Sequence, residues 1–122
     1  MDSKLSFLNE LTKRAEVDKL KIFDLLLHQL QKDFGQFGID FPSIPFSDEG
    51  FEWIHKKTSA CLIKLEAQTG NPLMAFLYNV DVSQNKYTQH LTHPANERIP
   101  ALANEVLSRT LKKVITKLYY SS

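Results

Sequence analysis

The sequence predicts an all-α fold, a single-domain bundle of four to six helices joined by an extended, aromatic-rich connector. No Gly or Pro occurs between Ser3 and Phe34, so nothing in that stretch breaks a helix. The 122 residues contain only 4 Gly and 5 Pro, which is few for a many-turned sandwich or barrel. Hydrophobic residues make up 43% and charged residues 24%, as in ordinary globular domains. We therefore expect one core and one domain over residues 1–122.

The first helical segment is predicted by apolar residues at three- and four-residue spacing, which marks one face of a helix: Leu20, Phe23, Leu27, Leu30 and Phe34. A similar stripe precedes it at Leu5, Leu8, Leu11 and Ala15. Asp18 could cap a second helix after a break near Glu16 or Val17, so one long helix and two collinear helices both remain open. Gly35 suits the left-handed residue just beyond a helix C-terminus.

The connector comprises residues 35–47, where Gly38, Pro42 and Pro45 oppose a helix. Five of the 8 phenylalanines lie in or beside it: Phe34, Phe37, Phe41, Phe46 and Phe51. An extended chain sends alternate side chains to opposite sides, so Phe37, Ile39 and Phe41 should face one way. The sequence favours a strap that closes the chain's own core. The alternative is an exposed strap that docks on a second subunit or partner, with contacts at Phe37, Ile39, Phe41 and Phe46.

The next helix should begin after a cap at Ser47 or Asp48 and end at Gly70. Its buried face is predicted to comprise Phe51, Ile54, Thr58, Cys61, Leu62 and Leu65. Asn71 as a cap with Pro72 in the first helical position predicts a short buried helix over residues 73–80. A strand over 73–82 is the alternative, which would make the fold α+β, because periodicity alone does not separate short apolar runs.

Two further helices complete the prediction. Ser83 can cap a helix that extends to about Leu91, and Pro100 fits the first turn of the final helix. In the final helix, apolar residues recur at helical spacing: Ala103, Leu107, Leu111, Val114 and Leu118.

Few residues show the spacing that chemistry requires. Glu52 and His55 form one Glu-x-x-His pair, whereas a di-iron bundle needs two. His90, His93 and Glu97 are ligand types that zinc accepts, but Pro94 biases His93 away from helical geometry. The remaining titratable candidates have structural interpretations: His28 as a partly buried core histidine and Cys61 as an inert buried thiol. We therefore assign no catalytic, cofactor or metal residues and expect no enzymatic activity.

Charge distribution supplies the second functional hypothesis. The net charge is +1, but the final helix carries Arg109, Lys112, Lys113 and Lys117 with no acid among them. Tyr119 and Tyr120 follow and could stack on bases, as in proteins that bind single-stranded nucleic acid. Our first hypothesis is a non-enzymatic module for self-association, as a dimer, or for binding a protein partner. The alternative is a nucleic-acid-associated accessory protein.

The single Cys cannot form an internal disulfide, and no apolar run reaches the length of a membrane span. The N-terminal residues lack the apolar core of a signal peptide. We therefore expect a cytoplasmic protein with no membrane partner.

Overall fold

The computed structural model describes residues 16–47 and 49–120. These residues form five α-helices and no strand: α1 Glu16–Gly35, α2 Gly50–Ala67, α3 Leu73–Asn79, α4 Gln84–His90 and α5 Ala95–Tyr120. The all-α prediction is confirmed, and the helix rather than the strand is found at the start of 73–82. Within these same ranges, no helix combines the length and the hydropathy needed to cross a membrane.

Helix α1 supplies one wall of the core. Four of its side chains are fully buried: Ile22, Leu26, Leu30 and Phe34. Leu20, the first residue of the predicted stripe, is 51% exposed, so the buried face starts later than the spacing indicated. Asp18 lies inside α1 rather than at its start. The upstream stripe Leu5, Leu8, Leu11 and Ala15 lies outside the described residues.

The end of α1 corrects the predicted role of Gly35. That glycine is the last helical residue, and the left-handed residue is Gly38, with φ of 76°. The Ile39 N–H donates to the Phe34 carbonyl at 3.1 Å, and the Gly38 N–H donates to the Gly35 carbonyl at 3.1 Å. These two bonds form a Schellman motif, whose left-handed position favours glycine. Gly38 therefore turns the chain out of α1.

Residues 39–46, which we call the strap, run back along α1. The rings of Phe34 and Phe41 stack 5.7 Å apart, and the rings of Phe23 and Phe46 meet edge to face at 5.3 Å. Between these contacts, Gln31 Nε2 donates to Ser43 Oγ at 3.2 Å. The strap is therefore antiparallel to α1 and returns the chain to the start of α2.

Helix α2 buries the predicted face, namely Phe51, Ile54, Thr58, Cys61, Leu62 and Leu65. Its N-cap position is Glu49, without a side-chain cap bond, and the Gly50 N–H donates to the Ser47 carbonyl at 3.0 Å. Ser47 therefore contributes its backbone rather than a capping side chain. The alternative cap, Asp48, lies outside the described residues.

The two short helices differ in their starts. Pro72, not Asn71, occupies the N-cap of α3, and Asn71 is left-handed with φ of 43°. A left-handed Asn71 turns the chain before Pro72 and so moves the helix start by one residue. The Ser83 cap of α4 is confirmed, because Ser83 Oγ accepts the Lys86 N–H at 3.2 Å.

Helix α5 packs against both α1 and α2. Its predicted stripe is buried from Ala103 to Val114, and Leu118 is partly buried. The helix starts at Ala95, so Pro100 is its sixth residue rather than part of a first turn. The Pro94 carbonyl accepts both the Glu97 and Arg98 N–H groups, which starts the helix before Pro100 is reached.

Candidate interaction surface

The four predicted interface residues of the connector have different environments. Ile39 and Phe41 are 5% and 3% exposed and belong to the chain's own core. Phe37 is partly buried, with its ring edge to face against Phe76 at 5.7 Å. Phe46 is 38% exposed. The first part of the strap therefore closes the core, and its end reaches the surface.

The strap end forms an apolar surface together with the first turn of α2. The Phe46 ring contacts Phe51 edge to face at 6.2 Å in addition to Phe23. Beside it lies a depression of about 310 Å³ lined by Ser43, Ile44, Pro45, Ser47, Glu49 and Trp53. Trp53 is 48% exposed. We call Ile44, Pro45, Phe46 and Trp53 the strap-end surface, in which Ile44 is partly buried and the other three side chains are exposed.

A second exposed surface follows along the helix. We define the outer face of α2 as Trp53, Lys56, Lys57, Ala60, Ile63 and Lys64, all of which are exposed. Ile63 is 53% exposed, and Lys56 Nζ lies 5.0 Å from the centroid of the Trp53 ring. A cation at that distance from an indole face is attracted by the ring's quadrupole. The outer face is therefore both apolar and positively charged.

Trp53 and Ile63 are exposed residues that the sequence did not predict as part of a site. The pattern that could have found them is the spacing of Trp53, Ala60 and Ile63, which puts apolar side chains on the helix face opposite the predicted buried face. Apolar residues on a second face of α2 indicate a second contact surface. The prediction from sequence used only the buried face.

The basic residues of α5 lie at the surface. Arg109, Lys112, Lys113 and Lys117 are all exposed, and within the described ranges no ion pair joins them to a carboxylate. Their three- and four-residue spacing places them along one exposed strip of the helix. The side chains of Tyr119 and Tyr120, the predicted stacking residues, lie outside the described part of the chain.

The histidines of α1 and α2 occupy unrelated positions. His28 is exposed, which corrects the prediction of a partly buried core histidine, and its Nδ1 lies 2.9 Å from the Asp24 carbonyl oxygen. Residue 28 falls on the outer side of α1, between the buried positions 27 and 29. His55 is 8% exposed, and its Nε2 lies 3.2 Å from the Pro100 carbonyl oxygen. His55 therefore links α2 to α5.

The remaining histidines meet between α4 and α5. The His90 and His93 rings stack 5.4 Å apart, and His90 Nε2 lies 3.5 Å from Glu105 Oε1. Glu105, which is not part of the His90, His93 and Glu97 spacing, therefore lies beside His90. Over residues 16–47 and 49–120, no three His, Cys, Asp or Glu side chains come together as metal ligands would.

The only cysteine is part of the core. Cys61 is 3% exposed, and burial raises the pKa of its thiol, an effect that the nearby Lys64 and Lys57 partly oppose. Because the thiolate is the nucleophilic form of cysteine, this environment suits a packing role.

Comparison with known proteins gives no relative: no family model matches the chain, no curated protein matches its sequence, and no solved structure matches it.

Proposed function

We propose that this chain is a non-enzymatic interaction module that self-associates through the strap-end surface. The observation that carries this proposal is the pair of large aromatic side chains, Phe46 and Trp53, that remain 38% and 48% exposed beside the 310 Å³ depression. Aromatic side chains are enriched among the residues that dominate binding energy at interfaces. Burying them against a second chain would remove their apolar surface from water.

A second copy of the chain suits the chemistry of this surface. In a two-fold dimer the same surface of each subunit meets its copy. Two copies of a charged surface would therefore repel each other. Of the described residues that line the depression, only Glu49 is charged. An apolar surface with a single acid at its margin can therefore meet its own copy without bringing many like charges together.

Binding rather than catalysis is supported by the separation of the chemistry-bearing side chains. Cys61 is buried with a raised thiol pKa, His28 is on the outer side of α1, and His55 lies between α2 and α5. The only thiol is therefore buried and held in its less nucleophilic, protonated form. The cytoplasmic location expected from the sequence is part of the same proposal, since the core relies on a free thiol.

Light scattering over a dilution series tests self-association directly. We expect a concentration-dependent mass, with Phe46→Ser weakening association roughly tenfold or more, as loss of an interface aromatic does. Leu91→Ser is the matched control, because Leu91 is 42% exposed and lies at the end of α4, outside the strap-end surface. A protein that remains a monomer at every concentration would contradict self-association. Global unfolding of Phe46→Ser would instead place Phe46 in the core.

A second candidate function is nucleic-acid binding by the strip Arg109, Lys112, Lys113 and Lys117, favoured by the exposure of four cations within nine residues. Its test is the anisotropy of a fluorescent single-stranded oligonucleotide over a range of salt concentrations. Replacing Lys112 and Lys113 with Glu should weaken binding and lower the slope against log salt by about two. The same change at Lys21 and Lys32 is the control. Absence of binding at low salt would contradict this function.

A further inference from the structure

The geometry of α2 points to a second binding function, in which its outer face receives an acidic amphipathic helix of a partner protein. This inference goes beyond the proposed self-association, which uses the strap-end surface, and the two surfaces share only Trp53. The face comprises Trp53, Lys56, Lys57, Ala60, Ile63 and Lys64, and every one of these residues is exposed.

The apolar part of the face is long enough to contact a helix. From Trp53 to Ile63 the axis rises about 15 Å, or nearly three turns. The small Ala60 lies between these two larger side chains, so it forms a notch along the helix surface. Helices pack by inserting side chains of one into such grooves of the other. A partner helix with two or three apolar residues on one face would match this length.

The charge of the face defines the partner's chemistry. Lys56, Lys57 and Lys64 flank the apolar residues, and all three side chains are exposed. Glu49 precedes the face, Glu52 lies one turn before Lys56, and Glu66 lies past Ile63 on the edge away from Lys57 and Lys64. The part of the face that surrounds Ala60 is therefore positive. Glutamates or aspartates beside the apolar stripe of the partner would complement these lysines.

A second copy fits this face poorly, although it fits the strap end. In a two-fold contact along α2, each lysine would meet lysines of the other subunit, and like charges at close range destabilise a contact. A membrane surface fits less well than a helix, because interfacial helices insert a broad apolar face with large side chains. Here that face is limited to Trp53, Ala60 and Ile63. Single-stranded nucleic acid would find only one exposed stacking ring, Trp53, on this face.

The fluorescence of Trp53 provides the experiment, because Trp53 is the only tryptophan in the chain. The full-length protein, at a concentration below that at which it associates, is titrated with a synthetic amphipathic peptide. The peptide consists of Glu, Leu and Ala, about 18 residues or five turns long. We expect a blue shift of Trp53 emission that saturates and that weakens as salt is added. A peptide with Lys in place of every Glu is the probe control and should leave the emission unchanged.

Charge reversal tests the assignment to α2. Lys56→Glu, Lys57→Glu and Lys64→Glu together should weaken binding of the acidic peptide on the order of tenfold, as expected for three exposed charge pairs. Lys21→Glu, Lys32→Glu and Lys86→Glu change the net charge equally on other helices and should leave the affinity unchanged. The triple charge reversal should leave the dilution series in light scattering unchanged, because Lys56, Lys57 and Lys64 are not part of the strap-end surface, and this separates the inference from self-association.

Three results would overturn the inference. The first is no response of Trp53 to the acidic peptide, and the second is an equal response to the basic peptide. The third is that anionic phospholipid vesicles, or a single-stranded oligonucleotide, bind more tightly than the acidic peptide and lose this binding when the α2 lysines are reversed. That result would assign the face to a membrane or to nucleic acid instead. In each case the dilution series with Phe46→Ser still decides self-association independently.

Discussion

The rings of Phe34 and Phe76 stack with centroids 4.3 Å apart and planes inclined by 20°. Both side chains are fully buried. The Phe41 ring also stacks on Phe34, with centroids 5.7 Å apart, and the Phe37 ring packs edge to face against Phe76. One aromatic cluster thus joins the end of α1, the start of the strap and α3. This cluster holds the first residues of the strap, Ile39 to Phe41, against the chain's own core.

Truncating this cluster should destabilise the fold more than truncating the exposed end of the strap. We expect Phe76→Ala to lower the free energy of unfolding by about 3–5 kcal/mol, through lost burial and the cavity left behind. Phe46→Ala should cost clearly less, because Phe46 is already 38% exposed. Urea denaturation followed by circular dichroism measures both. Phe76→Leu provides a milder variant if the alanine variant does not fold, and equal costs at the two positions would contradict this assignment of core and surface.

Much of this fold could be predicted because apolar spacing encodes which helix face is buried. The face of α2 from Phe51 to Leu65 and the stripe of α5 from Ala103 to Val114 both appear as the sequence indicated. Ser83 was likewise predicted as a cap, since its hydroxyl acts on a backbone N–H three residues away. These features depend on neighbours in sequence, so the sequence carries them directly.

One feature was misplaced for a local reason, and the others depend on contacts between distant residues. The start of α5 is set by the Pro94 carbonyl, so Pro100 came to lie in the helix interior. For Ile39 and Phe41 the sequence favoured the core and left an interface as the alternative, and both side chains are buried, with Phe41 stacked on Phe34. The outer face of α2 was overlooked because its exposure follows from what α1 and α5 leave uncovered. Periodicity identifies faces but not what covers them.

The packing of the strap against α2 should make Gly50 sensitive to a single added methyl group. A Cβ at Gly50 would lie 2.8 Å from Phe23 Cε2 and 3.2 Å from the Pro45 carbonyl oxygen. We expect Gly50→Ala to destabilise the protein by about 1–3 kcal/mol, the usual cost of overpacking. The displaced strap should also alter the emission of Trp53, which lines the same depression as Pro45.

Gly35 offers the matched control for that substitution. Nothing lies within 4 Å of a Cβ built there, and Gly35 is within α1. Gly35→Ala should therefore be neutral or stabilise the fold by up to about 1 kcal/mol, by restricting the unfolded chain. Thermal melts of the two variants should shift in opposite directions or differ clearly in size. A loss at Gly35 equal to that at Gly50 would contradict the steric explanation.

A buried polar pair on α1 should behave differently when one or both partners are removed. Gln29 Nε2 donates to Asp33 Oδ1 at 2.9 Å, and the two residues are 9% and 6% exposed. Gln29→Met should lower the free energy of unfolding by about 1.5–3 kcal/mol, because a buried carboxylate loses its donor. In the double variant with Asp33→Leu, part of that stability should return, since no unpaired polar group then remains. Urea denaturation of the two single variants and the double variant completes the cycle, and strictly additive losses would contradict the coupling.

The buried thiol of Cys61 should make stability depend on pH in the alkaline range. Burial raises the pKa of this thiol in the folded chain, whereas the unfolded thiol titrates near its ordinary value of about 8.5. The folded state therefore holds the proton more tightly, and its contribution to stability is complete below the unfolded pKa. As pH rises from there through the higher folded pKa, the unfolded chain loses its proton first, so this contribution is lost.

Comparison with Cys61→Ala isolates this effect from the titration of lysine and tyrosine, which both proteins share. The difference in free energy of unfolding between wild type and variant should be constant below about pH 8. At higher pH the wild type should lose stability relative to the variant. Urea denaturation at a series of pH values, with a reducing agent present, measures this difference. In parallel, the native thiol should react with a disulfide reagent far more slowly than the urea-unfolded thiol, because it is 3% exposed and kept protonated. Parallel stability curves up to pH 10, or equal reaction rates in the folded and unfolded chains, would show that the Cys61 thiol is accessible in the native fold.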